Sequence, residues 1–540
     1  MNVTPDHRDD VYQTGLRATN RALTRRQALL GGAAVAMSAA LAACGSSNSS
    51  GTTSAGETAG AAASPSRGGR IRAAFAGGGA QETLDPHRAN LFLEGSRSKM
   101  IFEKLADYGD DMAAVPRLAE EWSHNDELTE WTVKLRQATF HDGSPVTADD
   151  VLYSYARIVD PDEGFRARAN LEMLDIAKSA AVDERTVRLV LSRPYAEFPN
   201  SMAAFGAFIV PSGAEEFADP IGSGPFRFEE WTPGSSLGLV SFDDYWEGRP
   251  YIDELEYLIT NEETARINAL LGGQVEYAHD ISPASGQSHQ DRDGVIFINL
   301  PNSGMNGFVM KVDRAPFDDP DVRRALFLLT NRQELVDAAI GGAGTIGNDL
   351  FGQGYEYYAD HIPQRELDLD EATRLIEKAG ASGAEITIDT ADVGTGMVAS
   401  ASVFADQMRA AGLNVTVNNR DGGTYWSDIL TEGHLATFRS GGMPIESHIS
   451  QRLLSTSSTN ATRWQRPEFD ARYQEAISTA DAGIRAEIYH ELQETLHEEG
   501  GLAVWGFADW IVATGSKVHG VQPSPANSLD WARFDKVWVA

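Results

Sequence analysis

Cysteine is almost absent: Cys44 stands alone in 540 residues, so no internal disulfide can form and the fold must hold by burial. Lysine is scarce too, with 8 residues against 37 arginines, a bias that carries no binding code of its own. Basic charge as a whole is in deficit, 45 Lys and Arg against 78 Asp and Glu, for a formal net charge of −33. A chain this acidic offers no basic face to nucleic-acid phosphates or to anionic lipid headgroups. After Gly68 no apolar run approaches the roughly 20 residues that a spanning helix needs. No short-period repeat is present, which excludes solenoids and propellers. Nor does a catalytic constellation assemble. No HExxH occurs, His490 and His497 stand two helical turns apart, too far to share a metal, and read as partly solvated surface residues, and pairs such as Glu120-Glu121 and Asp149-Asp150 point apart. The chain is therefore expected not to be an enzyme and to hold neither metal nor cofactor.

What is present begins with an address. A polar leader ends in Thr24-Arg25-Arg26, and a nearly unbroken apolar stretch rich in Ala and Gly runs from Ala28 to Ala43. That is short for a membrane anchor and suits the core of a cleaved signal peptide. The paired Arg25 and Arg26 resemble a twin-arginine export signal. Leu41-Ala42-Ala43-Cys44 resembles the lipobox of bacterial lipoproteins, which implies cleavage before Cys44 and a diacylglycerol on its thiol. One acyl chain holds a protein only marginally at about 0.8 kcal/mol per methylene, whereas two hold it stably. Gly45 to Ser66 is almost all Ser, Gly, Thr and Ala and reads as a flexible tether.

At 540 residues the body exceeds the size of a single core, and 42% apolar residues suffice for two or more lobes. Residues 131–136 and 186–191 alternate at period two and read as strands. Helices are expected over 148–158, 321–339, 370–379 and 485–499, the first capped by Thr147 with Asp150 three residues on. Strand-rich stretches alternate with helices, so the fold class is α/β. Gly342-Ala343-Gly344-Thr345-Ile346-Gly347 matches GxGxxG, but it follows a helix where a nucleotide fingerprint needs a strand, and it reads as a flexible loop.

Four ordered stretches carry a family likeness. They are Thr83-Leu84-Asp85-Pro86 with 101–105; 116–122 with Phe140-His141-Asp142-Gly143 and 145–151; Ile221-Gly222-Ser223-Gly224-Pro225-Phe226 with Asp244-Tyr245-Trp246; and 316–326 with Asn331-Arg332. In this order they resemble the family 5 extracellular solute-binding proteins, the dipeptide and oligopeptide receptors of ABC importers. Turn and capping chemistry assigns the motifs themselves chiefly to the fold.

The resemblance implies a periplasmic-binding-protein type II clamshell of two lobes with an extra subdomain in the first. Its expected divisions are 1–43 signal peptide, 44–67 lipidated linker, 68–95, 210–298 and 515–540 lobe I, 96–209 subdomain, and 299–514 lobe II. It further implies an exported, lipid-anchored monomer that delivers a peptide or peptide-like solute to permease subunits. The ligand would lie extended between Asn90-Leu91-Phe92 and Arg439-Ser440-Gly441-Gly442-Met443, bound through backbone pairing with side-chain pockets. Trp426 resembles a pocket aromatic of the peptide receptors, with Trp464 and Trp505 as further candidates, the last equally suited to core packing. Where the family places an acid for the ligand's α-amine this chain has Met443, with Glu446 nearby, and Arg439 is a cation in need of a partner. An anionic or amine-blocked cargo is therefore expected. An exported hydrolase, or a clamshell used in sensing or adhesion, are the alternatives.

Overall fold

The computed structural model describes residues 64–79 and 82–540. Arg25, Arg26 and Cys44 lie outside the described residues. An 11-stranded mixed sheet runs through the body. In its first half Arg70–Phe75 pairs in parallel with Glu254–Ile259 and with Tyr277–Ile281, and the hairpin of Phe226–Thr232 and Ser236–Ser241 closes the edge. In its second half Glu385–Thr390 runs parallel to Asn414–Asn419 and to Leu435–Gly441.

Two long antiparallel strands, Val295–Met310 and Leu502–Gly515, belong to both halves. Residues 295–300 pair with 510–515 in the first half, and 304–309 pair with 502–508 in the second. Between them the register shifts, from Leu300 opposite Trp510 to Gly304 opposite Ala508. Such an irregularity leaves ladder groups unpaired and lets the strands bend, so both crossings yield at one level. The crossing lies a few residues inside the lobe boundaries expected at 298 and 515. Separate apolar cores sit against the two halves, one around Phe75, Tyr257 and Trp531, the other around Phe308, Phe404 and Trp505.

Residues 105–209 hold a four-stranded antiparallel sheet in the order 119–124, 130–135, 186–190, 180–183, packed by the helix Ala148–Val159. Val151, Tyr155 and Ile158 of that helix are fully buried, at the i, i+4, i+7 spacing that faces a core. The Asp150 carboxylate accepts from both the N–H and the hydroxyl of Thr147, so half of the expected capping box forms. The core of this subdomain also takes in Tyr473, Ile477 and Tyr489 of the second half, and the buried pair Glu197–Arg485, 2.6 Å apart, joins the same faces.

Three local expectations are corrected. The helix expected over 321–339 is two, Pro320–Leu329 and Arg332–Ile340. The break falls where the Asn331 side chain caps the second by accepting from the Glu334 N–H. The GxGxxG stretch is no loop: Gly344–Ile346 forms a short strand against Gly506–Ala508, so close that a Cβ on Gly344 would meet the Phe507 carbonyl. His497 is buried, its Nδ1 and carbonyl both facing Arg365.

The family-like motifs are tied to one another. Arg117 forms a bidentate pair with Glu103 at 2.8 and 3.2 Å, reaches Glu247 and the Tyr245 hydroxyl, and lies over the Trp246 ring. The Asp85 carboxylate takes both ends of Arg157 at 2.6 and 2.9 Å. Gly222 and Gly224 pass so close to Met100 and Ile101 that a Cβ on either would strike backbone. Breaking a buried pair of this kind costs about 3–5 kcal/mol, because the surviving charge is stranded.

Candidate functional site

The first expected ligand segment leads into the helix Phe92–Ile101. Glu94, third in that helix and buried, turns back and accepts from the N–H groups of Thr83, Asn90 and Leu91 at 3.3, 2.8 and 3.1 Å. The Leu91 carbonyl accepts from Gly95. With the N–H groups of Asn90 and Leu91 taken by Glu94, this segment has little left to offer as the second rail of a ligand ladder. What it offers the cleft are side chains. Phe92 packs edge-on against Trp510 and Trp531 with ring centres 4.4 and 5.5 Å away, and Asn90 and Phe92 line one cavity.

The second segment differs. Gly441, Ser440 and Arg439 pair on one side with Gly304, Met305 and Asn306, while the strand on the other side, 385–390, reaches only Leu435 and Ala436. Beyond that point the edge from Phe438 to Gly441 has no strand partner among the described residues. An unpaired edge of this kind is what an extended ligand backbone adds to. Trp426, 41% exposed, stands edge-on to Phe438 beside it.

A cavity of about 100 Å³ adjoins another of about 150 Å³, the two sharing Arg166, Phe205, Gly442, Met443 and Asn527. One wall comes from the first half and the subdomain, the other from the segment Gly441–Met443 and the helix Ile445–Arg452. The space is small beside ligand pockets of about 300–1,000 Å³, as befits a cleft with its walls together. Asn527 reaches across it to the Gly442 carbonyl at 3.1 Å.

Cations dominate these walls. Burial pushes the Lys99 ammonium down to about 8, and it donates to the carbonyls of Ser528, Leu529 and Trp531. Arg452 is pushed down to about 10, first by burial and then by the nearby charge of Arg166. Arg439 does not line either cavity. Its guanidinium sits against Gly304 and Gly394, lowered in proton affinity by burial and steadied by Asp280 of the first half.

Of the expected residues, then, Asn90, Phe92, Gly441, Gly442 and Met443 meet at the cavities. Leu91 is exposed next to them, Ser440 is buried in the strand, and Trp426 flanks the free edge. Trp505 is 1% exposed in the second core, and core packing is the reading that fits it. Trp464 packs on Phe469 and opens only onto a separate apolar pocket of about 20 Å³. Glu446 is no amine partner: it is buried, bonded to the hydroxyls of Tyr473 and Ser447. Sequence reasoning missed Arg166, Phe205, Arg452 and Asn527. They come from four distant segments without a motif, and only folding gathers them. A formal G-x-S-x-G at Gly234–Gly238 lies on the turn of the 226–241 hairpin, not on the strand-to-helix elbow that exposes a nucleophile.

The model of the bacterial extracellular solute-binding proteins, family 5 Middle, matches residues 113–462. The chain belongs to this family. Among curated relatives of this family 5 member, the glutathione-binding protein GsiB of Pectobacterium atrosepticum is 26% identical over 460 residues, covering 81% of this chain and 87% of that one. The dipeptide-binding protein of Pseudomonas aeruginosa is 24% identical over 467 residues, with 79% and 88% covered. In fold, the ABC transporter substrate-binding protein CtaP of Listeria monocytogenes superposes with a TM-score of 0.79 at 23% identity, over 88% of this chain and 99% of that one. The family 5 member thus has the type II clamshell fold of the periplasmic binding proteins and is a solute-binding protein of the ABC-importer class. No helix of its described residues is long and apolar enough to cross a membrane.

Proposed function

We propose that this protein is a membrane-tethered extracytoplasmic receptor that captures a small peptide-like solute and hands it, unchanged, to an ABC import permease. The observation that carries this reading is the unpaired edge Phe438–Gly441, whose end at Gly441 lines a cavity between two halves joined by a pair of crossing strands with a register shift. An extended solute gains backbone hydrogen bonds at that edge, and closure of the halves removes it from water. The names of the relatives, for glutathione and dipeptides, support a peptide-like cargo. Cys44 carries the diacylglycerol anchor, Arg25 and Arg26 direct export, and the tether 45–66 lets a monomeric body reach its permease. Mass spectrometry of the solute released by denaturing the purified protein tests capture without turnover. A small peptide-like molecule, recovered intact after prolonged incubation with fresh protein, is expected. Its conversion to a product would overturn the receptor reading.

A further inference from the structure

The two adjoining cavities are walled without a single Asp or Glu, in a chain whose net charge is −33. Their cations are not equivalent. Lys99 is taken up by three carbonyls, and Lys104 by Asp107 and the Ala203 carbonyl. Arg166 and Arg452 have neither an ion pair nor a hydrogen bond among the described residues. Each holds its guanidinium carbon over an aromatic ring, Arg166 over Phe205 at 4.8 Å and Arg452 over Phe438 at 5.2 Å from the ring centre. A cation–ring contact of that kind neutralises no charge and leaves the N–H groups free to donate. The two side chains also come from opposite walls. Arg166 belongs to the subdomain, and Arg452 ends the helix Ile445–Arg452 of the second half.

Arg166 is exposed at the cavity wall and Arg452 half-buried, neither has gained a counter-charge, and the charge of Arg166 bears on Arg452 across the shared cavity. A cation at a closing cleft that has no partner forgoes an ion pair, and two facing each other repel. An anion between them would reverse both terms and would join the two walls. Arg439, which the sequence singles out for this task, has Asp280 as its nearest counter-charge and faces a different part of the cleft.

We infer that the cargo bears an anionic group, a carboxylate or a phosphate, that lodges between Arg166 and Arg452 and draws the walls together. This rests on the solute-capture reading and names the chemistry of the solute. The anion supplies the specificity and the free strand edge Phe438–Gly441 the general affinity. A solute offering only a neutral or cationic head at that position leaves the arginine pair uncompensated.

The test is competitive retention. Protein stripped of copurified solute is incubated with an equimolar mixture of N-acetyl-L-aspartate, N-acetyl-L-glutamate, glycerol 3-phosphate, the neutral N-acetyl-Ala-Ala amide and the cationic Lys-Lys amide, and the retained compounds are quantified by mass spectrometry. Retention of one or both acetylated acids identifies the anion as a carboxylate, and retention of glycerol 3-phosphate identifies it as a phosphate. Either should fall at least tenfold in Arg166→Gln and Arg452→Gln and recover partly in the lysine variants, at unchanged melting temperature. If either amide, which carries no anionic group, is retained in preference, or if the anions are held equally by the glutamine variants, the inference is wrong while solute capture stands. Should the protein retain no compound, either from this mixture or on recovery from its native medium, solute capture itself fails and the inference with it. If both glutamine variants are unfolded, the lysine variants decide: unaltered preference among the five compounds supports the pair, and loss of the anion preference with charge retained refutes it.

Discussion

Replacing Glu94 by Ala should cost about 3 kcal/mol of stability and loosen the wall of the cleft. The Glu94 carboxylate is buried and holds three backbone donors, those of Thr83, Asn90 and Leu91. Hydrogen bonds to charged groups contribute about 1.5–3 kcal/mol each, but Asn90 and Leu91 lie near solvent, where water can replace part of the loss. About 1 kcal/mol per donor is therefore the working value. The charge also sits in the first turn of the helix Phe92–Ile101, where the helix dipole adds about 0.3–1 kcal/mol. Glu94→Gln should cost about half as much. Its carbonyl can still accept from Asn90 and Leu91, which share one carboxylate oxygen, while its amide faces the Thr83 donor. Urea unfolding at pH 7 gives both values. A loss below about 1 kcal/mol for the alanine variant, or a glutamine variant worse than alanine, would refute the claim that Glu94 fastens this segment.

Cys44→Ser should release the protein from the membrane fraction without moving its melting temperature; retention in the membrane contradicts the lipid anchor. Lysine at both Arg25 and Arg26 should abolish export, and normal export of that variant points instead to the general secretory route. His87 is buried and its proton affinity is pushed down to about 4, chiefly by burial and then by Arg157. The unfolded imidazole binds its proton near 6.5, so this contribution to stability is complete above that pH, is lost as pH falls toward 4, and then levels off. The loss amounts to about 3 kcal/mol. Urea midpoints that stay flat between pH 6.5 and 4, or that do not flatten in His87→Gln, would count against a neutral buried imidazole.

The sequence was most legible where chemistry is local. Thr147 and Asp150, Asp142-Gly143, and the glycines at 222 and 224 announce their turns because their conformations depend on near neighbours. The Asn331 cap was equally readable in principle, but the unbroken apolar periodicity of 321–339 hid it. Trp505 and Phe92 illustrate the limit for the site, since an aromatic residue in a strand or loop reads alike whether it ends in a core or in a cleft wall. Arg439 was conspicuous because it interrupts an apolar strand, yet its nearest counter-charge, Asp280, lies 159 positions away in the chain. Arg166 and Arg452 stand in polar stretches where arginine is commonplace. Only the meeting of the subdomain with the second half makes them a pair.

Solute capture by hinge closure is tested most directly by small-angle scattering of the emptied protein, before and after addition of the solute that copurifies with it. A smaller radius of gyration is expected on binding, with the same solute recovered afterwards, as the halves turn about the strands 295–310 and 502–515. Saturating binding with an unchanged radius, in a protein as compact when empty as when loaded, would contradict the account.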